Sequence, residues 1–216
     1  MKLMGKISVL LLSGLFSVSA LAVEGDAAAG EKKAAPCAAC HGQDGNSAAP
    51  TFPKIAGQGA EYAFKQLMDF KSGKRQNALM QGQVAGLSEQ DMADLAAFYA
   101  GQTVKVGKAD PELVAAGERI YRGGNLETGV AACSGCHGPA GEGVDAARFP
   151  ALGGQHAEYI ESQLKAFRAA GRGDIGATKR VNDADGDAPG MMQSVAANMS
   201  DSEIKAVASF IAGLGK

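Results

Sequence analysis

The stretches PCAACHG at residues 36–42 and ACSGCHG at residues 132–138 decide how this chain folds, because they hold all four of its cysteines and two of its three histidines. Cys-x-x-Cys-His is the pattern by which a c-type haem is attached. On a helix, two cysteines three residues apart share a face, where their sulfurs can form thioethers with the vinyl groups of a porphyrin. The next histidine then lies below the ring centre, where its imidazole can bind iron. The sequence predicts two covalently bound haem c groups, with thioethers at Cys37, Cys40, Cys133 and Cys136 and iron ligands at His41 and His137.

Three other interpretations of paired cysteines fit the sequence less well. A disulfide within Cys-x-x-Cys closes too short a loop to remove much chain entropy. A thioredoxin-like redox pair needs a βαβ context, and no such pattern occurs here. A four-cysteine zinc site usually spaces its pairs by about 15–20 residues, whereas 96 residues separate these motifs. The pattern therefore favours haem attachment.

The chain is an internal duplication, and the repeat defines its domains. Residues 52–73 align with 149–170 at a spacing of 97, with ten of 22 positions identical. Residues 86–101 align with 198–213 at a spacing of 112, which places a 15-residue insertion between Ala170 and Met192 of the second copy. The predicted division is an N-terminal domain at 23–101, a linker at 102–109 and a C-terminal domain at 110–216.

Apolar residues recur at helical spacing in both copies, so the predicted fold class is all-α. Helices are predicted over 60–71, 111–121 and 157–169, and two more follow Ser88 and Ser200. Both serines are candidate N-caps, and Ser200 with Glu203 forms the pattern of a capping box. No segment shows the sustained alternation of a strand.

Each iron needs a second axial ligand if it is to transfer electrons without exchanging ligands. His156 is the only remaining histidine, and it aligns with Gly59 of the first copy. It therefore cannot serve both halves, and we expect it at the surface or at the start of a helix. Methionine is the other common ligand, and its thioether raises the potential of the iron.

The repeat selects among the methionines. Met80 and Met192 align with each other, each eight residues before the capping serine of its half. Both lie in segments that contain glycine, which we expect to be loops, and they are the predicted axial ligands. Met191 is the rival of Met192 for the second iron, although its alignment with Leu79 favours core packing or gap filling.

Together these features resemble the di-haem cytochromes c of the cytochrome c4 family. The resemblance covers essentially the whole chain after residue 22, including both attachment motifs, the Met80 and Met192 segments and the Phe-Pro pairs at 52–53 and 149–150. It implies two tandem class I cytochrome c domains related by pseudo-two-fold symmetry, each wrapped around one covalent haem. The haem propionate edges are then close across the interface. It also implies that the carbonyls of Pro53 and Pro150 accept hydrogen bonds from the proximal imidazoles.

The resemblance implies a periplasmic carrier of single electrons between respiratory-chain components, toward a terminal oxidase. His/Met ligation fills both axial positions, which predicts electron transfer between redox proteins and not catalysis. An electron-accepting subunit of a periplasmic dehydrogenase is the alternative, and a di-haem peroxidase is a further rival. Because the segments before Met80 and Met192 differ in length and charge, we expect the two midpoint potentials to differ.

The first 22 residues have the pattern of a cleaved export signal. Lys2 and Lys6 precede an apolar stretch at 7–18, which ends in the A-x-A pattern of residues 20–22. The apolar stretch is too short for a membrane span of about 20 residues, and no later segment is a candidate span. The mature chain is therefore expected to be soluble in an oxidising compartment, and the family resemblance implies that this is the periplasm, with the protein soluble or loosely membrane-associated. A formal net charge of −2 argues against nucleic-acid partners.

The second copy also contains aspartates at 183, 185 and 187, spaced like the start of a calcium-binding loop. Ala188 stands where that loop needs glycine, and Ser194 stands where it needs glutamate. The sequence therefore favours a solvated acidic loop.

Overall fold

A computed structural model describes residues 24–184 and 188–215, which form ten α-helices and a short 3-10 helix at Asp145–Ala147. The helices are α1 (Ala27–Lys33), α2 (Ala35–His41), α3 (Ala60–Ser72), α4 (Ala78–Val84), α5 (Glu89–Ala100), α6 (Val114–Gly123), α7 (Ser134–His137), α8 (Ala157–Arg172), α9 (Met191–Ala197) and α10 (Asp201–Ala212). Extended pairing among these residues is limited to two isolated bridges, at 125–130 and 144–149. The predicted all-α fold is confirmed, and the predicted export signal lies outside the described residues.

The final helix of each half begins at its predicted serine. The Ser88 hydroxyl accepts from the Asp91 backbone N–H at 3.1 Å, and Ser200 accepts from Glu203 at 3.3 Å. In both cases the acidic side chain accepts in turn from the backbone N–H of the serine. The capping box predicted at Ser200 is confirmed, and the second box at Ser88 uses aspartate in place of the usual glutamate or glutamine.

Helix α6 begins at Val114, three residues later than predicted. Asp110 holds the preceding residues in a turn, because its carbonyl accepts from the Leu113 N–H at 3.0 Å and its carboxylate from the Glu112 N–H at 3.0 Å. Aspartate commonly competes for backbone donors in this way, which delays the helix.

In each half, a glycine lets the first helix cross the last one closely. A Cβ at Gly30 of α1 would lie 2.0 Å from the Asp94 carbonyl oxygen of α5. A Cβ at Gly117 of α6 would lie 2.3 Å from the Ala206 carbonyl oxygen of α10. Asp94 and Ala206 are equivalent at the 112-residue spacing, so both copies use the same backbone-to-backbone crossing.

The apolar cores of the two halves differ in size. The C-terminal half has the larger buried cluster, built from α6, α8, α10 and the segments between them: Ile120, Tyr121, Val130, Ile160, Met199, Ile204, Val207, Ala208, Phe210, Ile211 and Leu214. The corresponding cluster of the N-terminal half is Ala34, Leu95 and Tyr99. The N-terminal half therefore has less apolar material of its own around its attachment motif.

The two halves meet through reciprocal glutamine contacts. The Gln58 amide donates to the Ala151 carbonyl at 3.0 Å and accepts from the Ala151 N–H at 2.8 Å. The Gln155 amide donates to the Lys54 carbonyl at 2.7 Å and accepts from the Lys54 N–H at 2.8 Å. Because residues 58 and 155 are equivalent in the repeat, as are residues 54 and 151, each half gives the other the same contact. This reciprocity is the local form of the pseudo-two-fold symmetry.

Helices α3 and α8 both begin at this interface and are held there by the opposite half. The Glu61 backbone N–H of α3 donates to the Asp145 carboxylate at 2.9 Å. His156 is the N-cap residue of α8, and its Nε2 lies 2.9 Å from the Ser47 hydroxyl. The predicted helix-start position of His156 is therefore confirmed. The imidazole is half-buried between the domains.

Residues 102–109 run without helical structure and bond to both halves. The Thr103 carbonyl accepts from the Asn46 amide at 2.9 Å, and Lys105 pairs with Asp44 at 2.7 Å. On the other side, the Gly107 N–H donates to the Ala212 carbonyl at 3.0 Å. The linker thus lies along both domains.

Candidate functional site

The first attachment motif lies within α2, and the second lies at α7 with Cys133 as its N-cap residue; all four thiols are unbridged. The first cysteine of each motif, Cys37 or Cys133, is half-buried against the core of its half, whereas Cys40 and Cys136 are exposed. Burial raises the pKa of the Cys133 thiol to about 11 and also raises the pKa of Cys37. Each motif therefore presents one thiol inside the domain and one at its edge.

Both motif histidines are buried and held in one orientation by a proline carbonyl. His41 Nδ1 lies 2.8 Å from the Pro53 oxygen, and His137 Nδ1 lies 2.9 Å from the Pro150 oxygen. The hydrogen bonds that the family resemblance implied are thus present in both halves. Since a carbonyl can only accept, Nδ1 carries the proton and Nε2 keeps its lone pair for a metal. Burial lowers the pKa of both imidazoles, only partly offset by the proline carbonyls, which favours this neutral form.

A phenylalanine stands beside each imidazole. The ring centroids of His41 and Phe52 are 6.4 Å apart, and those of His137 and Phe149 are 6.5 Å apart. These phenylalanines are equivalent in the repeat and directly precede the two prolines. The shared Phe-Pro pair therefore fixes the imidazole through both a ring contact and a carbonyl.

Met80 and Met192 lie in helices, so the prediction that they occupy loops is wrong. Met80 is in the first turn of α4, where its N–H donates to the Asn77 side chain at 3.0 Å. Met192 is in the first turn of α9, where its N–H donates to the Asp183 carboxylate at 2.8 Å. These side chains satisfy N–H groups that a helix start leaves unpaired, which allows seven-residue helices to form in segments containing glycine.

The residues just before these methionines point outward. Leu79 is 69% exposed and Met191 is 62% exposed, so the core packing predicted for this pair is wrong. Successive helical residues point about 100° apart, and half-buried Met80 and Met192 therefore face a different direction. This placement favours Met192 over Met191 as the residue directed into the domain.

The acidic segment of the second copy differs from its prediction at Asp183. Asp183 is half-buried and bonded to the start of α9, so it is not part of a solvated loop. Asp185 and Asp187 lie outside the described residues. Among the residues that are described, no group of three or more His, Cys, Asp or Glu side chains could hold a metal ion.

Two arginines at the domain interface were not predicted from the sequence. Arg75 lies over the Phe70 ring at 4.6 Å, and Arg180 lies over the Phe167 ring at 4.5 Å. The phenylalanines are equivalent at a spacing of 97, but the arginines are 105 residues apart. The insertion is therefore split, with eight extra residues before Arg180 and seven after it. The Lys-Arg pairs at 74–75 and 179–180 were the available signal, hidden by the gap in the alignment.

This arginine pair bonds to both halves at once. Arg75 donates to Gln66 at 2.8 Å in its own half and to Gln163 at 3.0 Å in the other. Arg180 donates to Gln163 at 2.9 Å in its own half and to Gln66 at 3.2 Å in the other. Each arginine also donates to a tyrosine hydroxyl of the opposite half, Tyr159 for Arg75 and Tyr62 for Arg180. The arginines thus repeat the reciprocity of the glutamine contacts.

Asn182 extends this network in one direction only. From the insertion of the second copy, its amide donates to Gln66 at 2.9 Å and to Asp69 at 2.7 Å, both on α3 of the first copy. The backbone carbonyl of Asn182 accepts from the Lys65 ammonium at 2.7 Å. The insertion therefore lies against the first half.

The residues of each half fit a covalently attached haem. Each site offers two thiols, a neutral imidazole with a free Nε2, and apolar side chains around the first cysteine. In the N-terminal half, the buried Tyr99 hydroxyl has no hydrogen-bond partner among the described residues, and burial raises its pKa to about 12. A buried hydroxyl without a partner is costly, so this atom fits a polar group that the chain itself does not supply.

Comparison with known proteins agrees with this geometry. The family model described as Cytochrome c matches residues 27–101 and again residues 114–215. Cytochrome c4 of Pseudomonas aeruginosa is 50% identical over 208 residues, which are 96% of this chain and 97% of that protein. The crystal structure of reduced recombinant cytochrome c4 from Pseudomonas stutzeri superposes with a TM-score of 0.77 at 47% identity, covering 88% of this chain and 99% of that one.

A relative with a more specific name is also similar. The thiosulfate dehydrogenase electron acceptor of Stutzerimonas stutzeri is 40% identical over 185 residues, which are 83% of this chain and 79% of that protein.

Proposed function

Because this chain belongs to the cytochrome c family and matches its di-haem cytochrome c4 members almost end to end, we propose that it carries single electrons between respiratory-chain proteins, toward a terminal oxidase. The chain binds two haem c groups covalently, one for each Cys-x-x-Cys-His motif. The observation that carries the proposal is the matched pair of buried histidines, each held by a proline carbonyl with Nε2 left free.

The proposed attachment and ligand residues are those of the two repeats. In the N-terminal half, Cys37 and Cys40 would form the thioethers, and His41 and Met80 would bind the iron. In the C-terminal half, Cys133 and Cys136 would form the thioethers, and His137 and Met192 would bind the iron. When bound, haem supplies the ferric/ferrous couple that takes up and releases one electron.

The chain's own residues then keep each site closed to other chemistry. The proline carbonyls hold the imidazoles in place, and the helix-start hydrogen bonds at Met80 and Met192 fix the methionine backbones. A haem held by one histidine and one methionine would have no ligand position left for dioxygen or peroxide. We therefore propose that the chain is a carrier and not an enzyme.

We propose that Arg75 and Arg180 bind the carboxylates of the haem propionates. Among the described residues, the hydrogen bonds of Arg75 and Arg180 go to amide and phenol groups and not to carboxylates. A guanidinium away from water is stabilised by an anion, and carboxylates suit its paired donors. Positive charge at the interface would hold the propionates of the two halves close together.

The ligand proposal is tested by replacing the methionines one at a time. Met80→Ala and Met192→Ala should each remove about half of the red-region sulfur-to-iron charge-transfer band of the oxidised protein. Each variant should also open one ferric haem to cyanide. Met191→Ala is the matched control, since that exposed side chain should leave the band unchanged. A band that keeps full strength in Met192→Ala contradicts the assignment.

We propose a periplasmic location, in which residues 1–22 are removed on export. No helix among the described residues is long and apolar enough to cross a membrane. Mass spectrometry of the protein purified from the periplasmic fraction tests the proposal, because the mature chain should begin at Val23 and carry two haems.

A second candidate function is suggested by the Stutzerimonas relative, whose name gives it as an electron acceptor for thiosulfate dehydrogenase. In that case this chain would accept electrons from a periplasmic dehydrogenase as its dedicated partner. Native purification separates the two proposals. A dedicated acceptor co-migrates with a catalytic chain that reduces it, whereas a general carrier migrates alone.

A further inference from the structure

The two helices that carry the proposed methionine ligands begin on side chains of different charge. At α4, the neutral Asn77 amide oxygen accepts from the Met80 N–H at 3.0 Å. At α9, one carboxylate oxygen of Asp183 accepts from the Met192 N–H at 2.8 Å and from the Gln193 N–H at 3.2 Å. The other oxygen accepts from the Gln193 amide at 2.7 Å. The carboxylate is thus held at three points beside Met192.

Gly190 makes room for this carboxylate. Gly190 is the N-cap residue of α9, and a Cβ at this position would lie 2.2 Å from the Asp183 Cγ. The capping group therefore comes from seven residues upstream and occupies the space of the missing side chain. Asp183 is half-buried there, whereas Asn77 is exposed.

The two helix starts also share described features. Each has a Lys-Arg pair shortly before the cap, and each arginine lies over an equivalent phenylalanine, at 4.6 Å in one half and 4.5 Å in the other. The N-terminal half has one more nearby carboxylate, Asp69, but the Lys65 ammonium neutralises it at 2.5 Å. Among the described residues, the capping groups of the two helices therefore differ by one formal negative charge, carried by Asp183 in place of Asn77.

We propose that Asp183 both positions Met192 and lowers the midpoint potential of the C-terminal haem. In the other half, the neutral Asn77 positions Met80 but brings no charge. The inference rests on the proposed ligation by Met80 and Met192. A fixed negative charge stabilises ferric iron over ferrous iron, because the oxidised site carries one more positive charge. Partial burial weakens the screening of such a charge by salt.

The first test is Asp183→Asn in the holoprotein, with the haem bands followed in a redox titration. The amide still accepts a hydrogen bond from Met192, so the charge is removed while the cap is kept. A unit charge within roughly 10 Å, at an effective permittivity near 20, changes a ferric-to-ferrous ratio about tenfold. We expect a three- to tenfold lower ferric-to-ferrous ratio at the C-terminal haem at fixed potential, with the N-terminal haem unchanged.

The reciprocal variant provides an independent test. Asn77→Asp introduces the charge into the N-terminal half and should raise the ferric-to-ferrous ratio of that haem by a similar factor. The two components of the titration are assigned beforehand with Met80→Ala and Met192→Ala, each of which displaces one of them. If Asp183→Asn disturbs folding, Asn77→Asp alone decides the charge effect.

Asp183→Ala separates positioning from charge. It should shift the same component as Asp183→Asn and, in addition, speed cyanide binding to the C-terminal ferric haem several-fold, since Met192 loses its backbone anchor. The inference is overturned if Asp183→Asn keeps its charge-transfer band and moves neither component, or moves both equally. Failure of the ligand assignment is a different result, a full-strength band in Met192→Ala.

Discussion

The reciprocal glutamines are predicted to join the two domains into one cooperative unit, and Gln155→Ala should uncouple them. The side chain of Gln155 bonds to both the N–H and the carbonyl of Lys54, and its oxygen also accepts from the His156 N–H at 3.1 Å. Gln58 makes the same set with Ala151 and with the Gly59 N–H. Truncation of either side chain therefore leaves three backbone groups without these partners.

The size of the effect follows from the hydrogen bonds that cross the interface. Each glutamine contributes two, worth about 1 kcal/mol apiece in net stability. Each truncation should thus cost about 2 kcal/mol. For a protein of this size the loss corresponds to roughly 4–8 °C in the melting temperature. Gln155 is buried, so water replaces its bonds poorly, and its substitution should cost at least as much as that of Gln58.

Differential scanning calorimetry of the holoprotein is the assay. We expect one transition in the parent protein and a lower, broadened or split transition in Gln58→Ala and Gln155→Ala. Gln90→Ala is the control, because that amide bonds to Glu24 and Asp94 within the N-terminal half. It should lower stability without splitting the transition. Shifts below 1 °C in both interface variants would falsify the reasoning.

Two further predictions concern the N-terminal half. Gly30→Ala should destabilise the protein by about 1–3 kcal/mol, because its Cβ would meet the Asp94 carbonyl at 2.0 Å. The control is Gly123→Ala, whose Cβ meets no atom within 4 Å and which should be neutral or stabilising by up to about 1 kcal/mol. Urea unfolding measures both variants, and equal effects would contradict the crossing geometry. Hydrogen bonds from Lys33, the Asp26 N–H and Gln90 lower the pKa of Asp94 to about 2, below the ordinary value near 3.9. Its stabilising contribution should therefore be complete above about pH 4 and lost as the pH falls toward 2. Asp94→Asn should flatten that part of the stability profile, and an unchanged profile would show that the Asp94 bonds do not matter for acid unfolding.

The parts of the site that could be predicted from the sequence are those that short motifs with fixed residue spacing specify. Five residues suffice to specify Cys-x-x-Cys-His, and the repeat placed the Phe-Pro pairs and the capping serines in both halves. Helices α4 and α9 were missed because they are only seven residues long, and their caps lie outside the apolar periodicity. In α9 the cap is Asp183, which no local pattern connects to Met192.

The interface was harder to predict, because its contacts join residues about 84–118 positions apart. Arg180 lay inside an insertion, where alignment at a constant spacing assigns no counterpart. Its equivalence to Arg75 is visible only in the structure, where each arginine lies over the equivalent phenylalanine, Phe167 or Phe70. His156 showed the same limit, because a helix-start position was readable from sequence but the Ser47 contact of the other half was not.

The reciprocal glutamine contacts also bear on which modules can recognise each other. A contact that each partner gives and receives identically is self-complementary, as in an isologous homodimer. One module with this glutamine therefore already has much of what it needs to pair with a copy of itself. Fusion into one chain favours the intramolecular partner through a high effective concentration. The insertion adds direction, since Asn182 reaches α3 of the first copy and the described residues of the first copy include no equivalent asparagine contact with α8. We therefore expect the two unlike halves of one chain to pair with each other in preference to self-pairing or exchange of modules between molecules.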